Sequence, residues 1–280
     1  YSPRTQEIYR AVLEGYNEHS GGSLTPTAIR NYEVELLDCK GESARTVGMH
    51  LSVLSGYCRW LMKNGQIESN PVKLVPRPET EKRLPVFYRE EAMEQNFDGT
   101  SADASAQQLE FLKSLPAEDK TAMELYTRRL GRLIISLLYG TGMRRSELIS
   151  LNRSSIDFSR GTVTVLGKGN KMREIPLIPS LCEEISLYLS ASDHVLGPSG
   201  GDDPLLMTPS ARRLYPVYVD RAVKKGLGTV PGITGRKSPH VLRHTLASEL
   251  LDNGSDLNSI KELLGHSSLA ATQVDTHNTI

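Results

Sequence analysis

Five side chains in the second half of this sequence are of the types that hold anions and move protons. His240 and Arg243 stand three apart in "HVLRH", so a helix would project both from one face, with His244 one position further round. Arg144 follows a Gly-Thr-Gly turn and has Glu147 three positions on, close enough on a helix to pair with it or orient it. Lys168 lies in "LGKGNK", and His266 follows Gly265 where an apolar-periodic run stops. Taken singly, each has an ordinary reading. His240 and Arg243 suit a solvated helix face, Arg144 with Glu147 a surface ion pair worth about 0.5 kcal/mol, Lys168 a soluble turn, and His266 a carbonyl cap. No carboxylate pair or HExxH accompanies them, and Cys39, Cys58 and Cys182 are widely spaced and odd in number. That pattern supports neither a zinc site nor a disulfide framework, so no metal and no cofactor is expected.

The elements that must position these groups can be read from periodicity. Residues 1–72 read as a small helical bundle. Its clearest helix lies in "SARTVGMHLSVLSGYCRWLMKNG", with Val47, Leu51, Leu54, Tyr57, Cys58 and Leu61 on one stripe, Ser43 as N-cap and Asn64-Gly65 as the stop. Four prolines among charges (Pro71, Pro76, Pro78, Pro85) prevent a helix and favour an extended linker, placed at residues 73–86. Residues 87–280 form the second domain, with an insertion around 96–125 whose start reads as flexible. "RLGRLIISLLYGTGMRRSELISLNRSSID" predicts two helices split by Gly140-Thr141-Gly142. "GTVTVLGKGNKMREIPLI" alternates apolar and polar residues about Gly167–Lys171, the pattern of a β-hairpin. "SPHVLRHTLASELLDNG" and "SDLNSIKELLGHSS" predict two amphipathic helices, ended by Asn253-Gly254 and by Gly265. The expected fold is therefore mainly α, with one small antiparallel sheet.

Bulk properties narrow the classes further. At 280 residues, 38% hydrophobic and 24% charged, the chain suits two soluble domains, and no apolar run approaches a membrane span. Its opening "YSPRTQEIYRAVLEGY" has no basic-then-apolar signal segment, so a reducing cytoplasm is the expected place and no membrane partner is expected. The 33 basic and 33 acidic side chains cancel, but not locally. Residues 96–125 carry six acidic groups against two lysines, whereas residues 207–243 carry eight basic groups against Asp220 alone. The basic stretch, with Arg212, Arg213, Arg221, Lys224, Lys225, Arg236 and Lys237, is the expected polyanion-facing part.

The order Arg144, Lys168, His240-x-x-Arg243, His266 resembles that of the tyrosine recombinases, most closely the Xer-type and phage-integrase branch. The motifs that carry the resemblance are "NGQIESNP", "YGTGMRRSELISL", "LGKGNK" and "HVLRHTLASELLDNGSDLNSIKELLGHSSLAATQ", and they cover nearly the whole chain. The resemblance implies a SAM-like helical core-binding domain over residues 1–72 and a recombinase catalytic domain over 87–280. It implies a partner, duplex DNA with a specific recombination site, and a tetramer on two paired sites when active. It also implies roles. Arg144 and Arg243 clamp the non-bridging phosphate oxygens, Lys168 protonates the departing 5′ oxygen, His240 handles the proton of the attacking hydroxyl, and His266 donates to phosphate. Glu147 holds Arg144 in place.

One residue departs from the family pattern. The nucleophile is a tyrosine nine residues after the second histidine, within an ending "xYTH", and this chain reads "VDTH" with Asp275 in that place. A carboxylate of pKa about 3.9 is already an anion at neutral pH and would approach an anionic phosphodiester. An acyl phosphate is labile to water, whereas the phosphotyrosyl ester is stable enough to wait for the incoming strand. Tyr215 and Tyr218 have no context of the nucleophile motif. The resemblance therefore predicts an integrase-type DNA recombinase that binds but does not cut, by deliberate inactivation or as a naturally inactive accessory subunit. Two rivals remain: a non-catalytic DNA-binding regulator built on helix-turn-helix units, and a type IB topoisomerase, which shares the chemistry.

Overall fold

A computed structural model describes residues 3–79, 102–167, 170–228 and 237–265. The chain divides into two compact units, residues 1–83 and 84–280.

The first unit packs helices α1 (Pro3–Ser20), α2 (Pro26–Val34) and α3 (Ala44–Lys63), with a π-helical turn at Glu35–Cys39 and a 3-10 turn at Pro71–Leu74. Each later helix starts at an oxygen cap: Thr25 accepts the Ala28 N–H at 3.2 Å, and Ser43 accepts that of Thr46 at 3.1 Å, as the sequence predicts for Ser43. The core gathers Tyr16, Ile29, Tyr32, Leu36, Val47, Leu51, Leu54 and Cys58. Tyr57, expected on the buried stripe of α3, is 37% exposed and stacks on exposed Trp60 with ring centroids 6.0 Å apart. The stripe turns inward at Leu54, Cys58 and Leu61, which leaves Tyr57 on its flank.

The segment after α3 is less extended than its prolines suggest. Pro71 occupies the first turn of a 3-10 helix, where its missing N–H costs nothing. Asn70 Nδ2 donates to the carbonyl and hydroxyl of Ser55 at 3.3 and 2.9 Å, and Arg77 Nη1 donates to Ser52 Oγ at 3.1 Å. Val72 and Val75 are buried in the same core, so part of the expected linker at 73–86 completes the bundle. Residues 80–86 lie outside the described residues.

The second unit is built around α5 (Lys120–Thr141), which contacts α4 (Ala102–Ser114), α7 (Pro179–Leu196), α8 (Pro216–Gly228) and α9 (Pro239–Asp252). Its start is fixed by Asp119, whose Oδ1 accepts the N–H groups of Thr121 and Ala122. Leu130, Leu133, Ile134, Leu137 and Leu138 are fully buried along it. Of the stretch 96–125 expected as an insertion, residues 96–101 lie outside the described residues. The rest includes a core helix: Leu109 and Leu112 of α4 are buried, a three-residue repeat concealed by the acidic composition around it. Gly140 and Thr141 belong to α5, and the helix stops only at Gly142, which takes φ +60°. Short α6 (Arg145–Ser150) follows.

The expected hairpin is present as β2 (Thr162–Leu166) and β3 (Met172–Pro176), antiparallel in the register Thr162 to Pro176 through Leu166 to Met172. A two-residue strand β1 (Ile156–Asp157), which periodicity does not reveal, adds to the other edge of β2 in the order β1-β2-β3. Val163, Val165 and Ile175 point into the core. Last come α9 and α10 (Leu257–Leu264). As read from the sequence, α9 is capped at Asn253 before Gly254 with φ +81°, and α10 stops at Gly265 with φ +65°. Among the described residues no helix is long and apolar enough to cross a membrane.

Candidate active site

Arg144 stands at the N-cap of α6, in extended backbone just after the Gly142 turn. Arginine has no side-chain acceptor to cap a helix, and the cap is supplied from the third position instead. Glu147 Oε2 accepts the Arg144 backbone N–H at 2.8 Å, and Oε1 accepts Arg144 Nη1 at 2.9 Å. The same carboxylate is gripped from the sheet by Arg173 of β3, with Nη1 to Oε1 at 2.9 Å and Nη2 to Oε2 at 3.0 Å. Glu147 is only 3% exposed, and each of its oxygens accepts two hydrogen bonds. Burial pushes its carboxyl upward, but the paired donors and charges of Arg173 and Arg144 outweigh this and hold it below the ordinary carboxylate value.

Arg243 reaches the same place from α9. It is 5% exposed, donating from Nη1 to the Gly142 carbonyl at 2.5 Å and from Nη2 to that of Leu264 at 2.8 Å. Arg144 Nη2 donates to the next carbonyl, Gly265, at 3.1 Å, and Arg173 Nε to the preceding one, Leu263, at 3.0 Å. Three successive carbonyls at the end of α10 thus take one arginine each, from α6, α9 and β3. The last carbonyls of a helix lack partners within it, and the helix dipole makes that end negative, so the cations suit both demands. Gly142 and Gly265 permit the approach. A methyl built on Gly142 would stand 2.6 Å from Leu264 Cδ2, and one on Gly265 would stand 2.9 Å from Arg173 Nη1.

The structure brings together Arg144, Glu147 and Arg243 of the residues expected from the sequence. His240 lies exposed in the first turn of α9, three residues before Arg243. Lys168, His266, Asp275 and Arg236 lie outside the described residues. Arg173 was missed. Its position in a strand of alternating residues reads as an ordinary outward-facing charge, and nothing local marks a partner 26 positions away.

The basic stretch separates into two kinds of residue. Arg221, Lys224 and Lys225 are exposed along α8, opposite buried Val219, Val223 and Leu227, and Arg212 is exposed before it. Lys237 is half-buried. Arg213 faces its own chain, donating from Nη1 to the carbonyls of Ile149 and Leu151 at 2.9 and 3.1 Å and from Nη2 to Asn152 Oδ1 at 2.6 Å. It therefore satisfies the C-terminal end of α6. Burial pushes the Tyr218 phenol up, which weakens it further as a nucleophile. Among the described residues no three or more His, Cys, Asp or Glu are grouped to hold a metal ion.

Comparison with known proteins supplies the rest. Residues 105–280 match the model of the phage integrase family. The chain is 33% identical over 99% of its length to the tyrosine recombinase XerC of Chlorobaculum parvum, covering 86% of that protein. It is 36% identical over 99% of its length to XerC of Bacillus pumilus, covering 84% of that one. Among solved structures, the XerH site-specific recombinase bound to palindromic difH substrate shares the fold with a TM-score of 0.72 at 21% identity, over 97% of this chain and 75% of that one. The Tn1549 transposon integrase in complex with transposon right end DNA does so at 0.69 and 18%, over 98% and 89%. With a family model spanning well over half its length and relatives a third identical across nearly all of it, the chain belongs to the phage integrase family, as a Xer-like tyrosine recombinase.

Proposed function

We propose that this chain is a site-specific recombinase that grips duplex DNA at a recombination site but does not cut it. The observation that carries the reading is the convergence of Arg144 and Arg243, from separate helices, on the adjacent carbonyls of Gly265 and Leu264. Two planar forks of donors held side by side suit the non-bridging oxygens of one phosphodiester, where charge accumulates as phosphorus becomes five-coordinate. The next residue in the chain is His266, which would donate a further hydrogen bond to that phosphate, while His240, one turn before Arg243, would handle the proton of the attacking hydroxyl. Lys168 would protonate the departing 5′ oxygen. Exposed Arg221, Lys224 and Lys225 on α8, with Arg212, would follow the DNA backbone.

Chemistry in the family runs through a 3′-phosphotyrosyl ester, and Asp275 holds the place of the tyrosine. Its carboxylate would compete with phosphate for Arg144 and Arg243, and any acyl phosphate would be lost to water. The Tn1549 integrase in complex with transposon right end DNA, whose fold this chain shares, supports DNA as partner, and the cytoplasm would be the place of action. The working assembly would be a tetramer on two paired sites.

The test is Asp275→Tyr beside Asp275→Phe and the unaltered chain, run with end-labelled site DNA on a denaturing gel. The expected result is a covalent adduct at a DNA 3′ end with the tyrosine variant alone, and DNA binding by Asp275→Phe at least as tight as that of the unaltered chain. A tyrosine variant that binds its site yet yields no adduct would count against the placement of the nucleophile.

A further inference from the structure

Arg173 belongs to none of the roles that the family pattern supplies, yet it lies between the places where that pattern puts three of them. Its guanidinium rests against two glycines. A methyl built on Gly265 would stand 2.9 Å from Nη1 and 3.0 Å from Cζ, and one on Gly167 would stand 3.5 Å from Nη1. Gly265 immediately precedes His266, and Gly167 immediately precedes Lys168. The same group donates to both oxygens of Glu147, which hold Arg144 by main chain and side chain, and to the Leu263 carbonyl.

We infer that Arg173 is a positioning residue, which holds Gly167 just past β2, Gly265 just past α10 and the Arg144 fork in one mutual geometry. The inference rests on the proposed reading of Arg144, and of Lys168 and His266, which follow the two glycines in sequence, as phosphate-handling groups. Arg173 supports them from behind, because its guanidinium spans both oxygens of Glu147, which holds Arg144, and its Nε donates to the Leu263 carbonyl at the end of α10. A planar fork is required. The ammonium of a lysine is a point charge that cannot span both Glu147 oxygens and also reach a carbonyl on the far side. A guanidinium is also flat enough to lie against the backbone of Gly265, where any added side chain would collide with it. An ordinary structural ion pair makes a different prediction: its loss would lower stability and leave the chemistry of the folded fraction alone.

The experiment compares the full chain with Arg173→Lys and Arg173→Met, the first kept in case the second fails to fold. Amide hydrogen exchange is resolved at Gly167 and Gly265, whose N–H groups bond to the carbonyls of Lys171 at 2.8 Å and Glu262 at 3.1 Å. Both amides are expected to exchange at least about tenfold faster in the variants, with buried α5 amides unchanged, since local opening is set by local packing and hydrogen bonding. If either glycine keeps its protection, the coupling is refuted. The second arm repeats the substitutions in the Asp275→Tyr chain and follows single-turnover covalent joining to end-labelled site DNA at saturation. Arg173→Lys is expected to slow joining about 10- to 100-fold, the cost of reacting groups displaced by a fraction of an ångström to an ångström. Half-saturation by DNA is expected to change less than about threefold. Unchanged joining, or a loss matched by weaker DNA binding, overturns the inference alone. An Asp275→Tyr parent that binds DNA without forming an adduct overturns the reading of the site, and Arg173's role in the reaction with it.

Discussion

Glu147 binds Arg144 at both ends, through its backbone N–H at 2.8 Å and its guanidinium at 2.9 Å, so a single buried carboxylate fixes the start of α6 and the direction of the side chain that leaves it. The negative charge is essential to this arrangement. Four donors from two arginines surround it, and a neutral group of the same shape would leave those cations uncompensated in a site nearly closed to water.

Glu147→Gln is therefore expected to destabilise the second unit by about 3 kcal/mol, the cost of removing one partner from a buried charge network. The carboxyl is held below its ordinary value in the folded chain, so it contributes stability that is fully present above its unfolded value of 4.5 and is lost as pH falls through the lower folded value. Denaturant titrations between pH 6 and 3 would show this. The unaltered chain should lose stability on acidification below about pH 4.5, and the Gln variant should show a shallower loss over the same interval.

Gly142→Ala tests the turn that lets α9 and α10 approach. The added methyl would lie 2.6 Å from Leu264 Cδ2 and 2.9 Å from Leu246 Cδ2, on a backbone at φ +60° that L residues avoid. Overpacking and the backbone penalty together predict a loss of about 2–4 kcal/mol by thermal or denaturant unfolding. An effect within experimental error would mean that the two leucines move aside freely.

Arg213 and the lysines of α8 should part company under salt. Arg213→Ala removes three hydrogen bonds at the end of α6 and is expected to lower stability by about 1–2 kcal/mol in the absence of DNA, with little change in the salt dependence of DNA binding. Lys224→Ala with Lys225→Ala should do the reverse. Stability is expected to hold within about 0.5 kcal/mol, while the slope of log K against log salt falls by about one for each phosphate no longer neutralised. Filter binding from low to moderate salt, beside thermal melts, separates the two effects.

Local pattern was enough for the features that are local in origin. The hairpin, the stops at Asn253-Gly254 and Gly265, and the pairing of Arg144 with Glu147 each depend on residues within a few positions of one another. Arg173 and Arg213 illustrate the opposite case. Both are charged residues whose partners are carbonyls or a carboxylate far along the chain, so spacing carries no trace of them, and composition alone assigned Arg213 to the polyanion-facing part. Tyr57 and α4 failed for a different reason. An aromatic ring at the edge of an apolar stripe has the same periodicity whether buried or flanking, and two leucines three apart among acidic residues are too short a signal to mark a core helix.

The fastening of the segment after α3 also has a mechanical consequence. Arg77 and Asn70 tie the outgoing chain to Ser52 and Ser55, and Val72 and Val75 are buried in the first unit's core. A pull on the chain beyond residue 79 would therefore load these cross-links and the seated valines before it reached the end of α3. Freeing that segment would take more than the fraying of a helix end, because the Arg77 and Asn70 hydrogen bonds to α3 would have to break and the two valines leave the core.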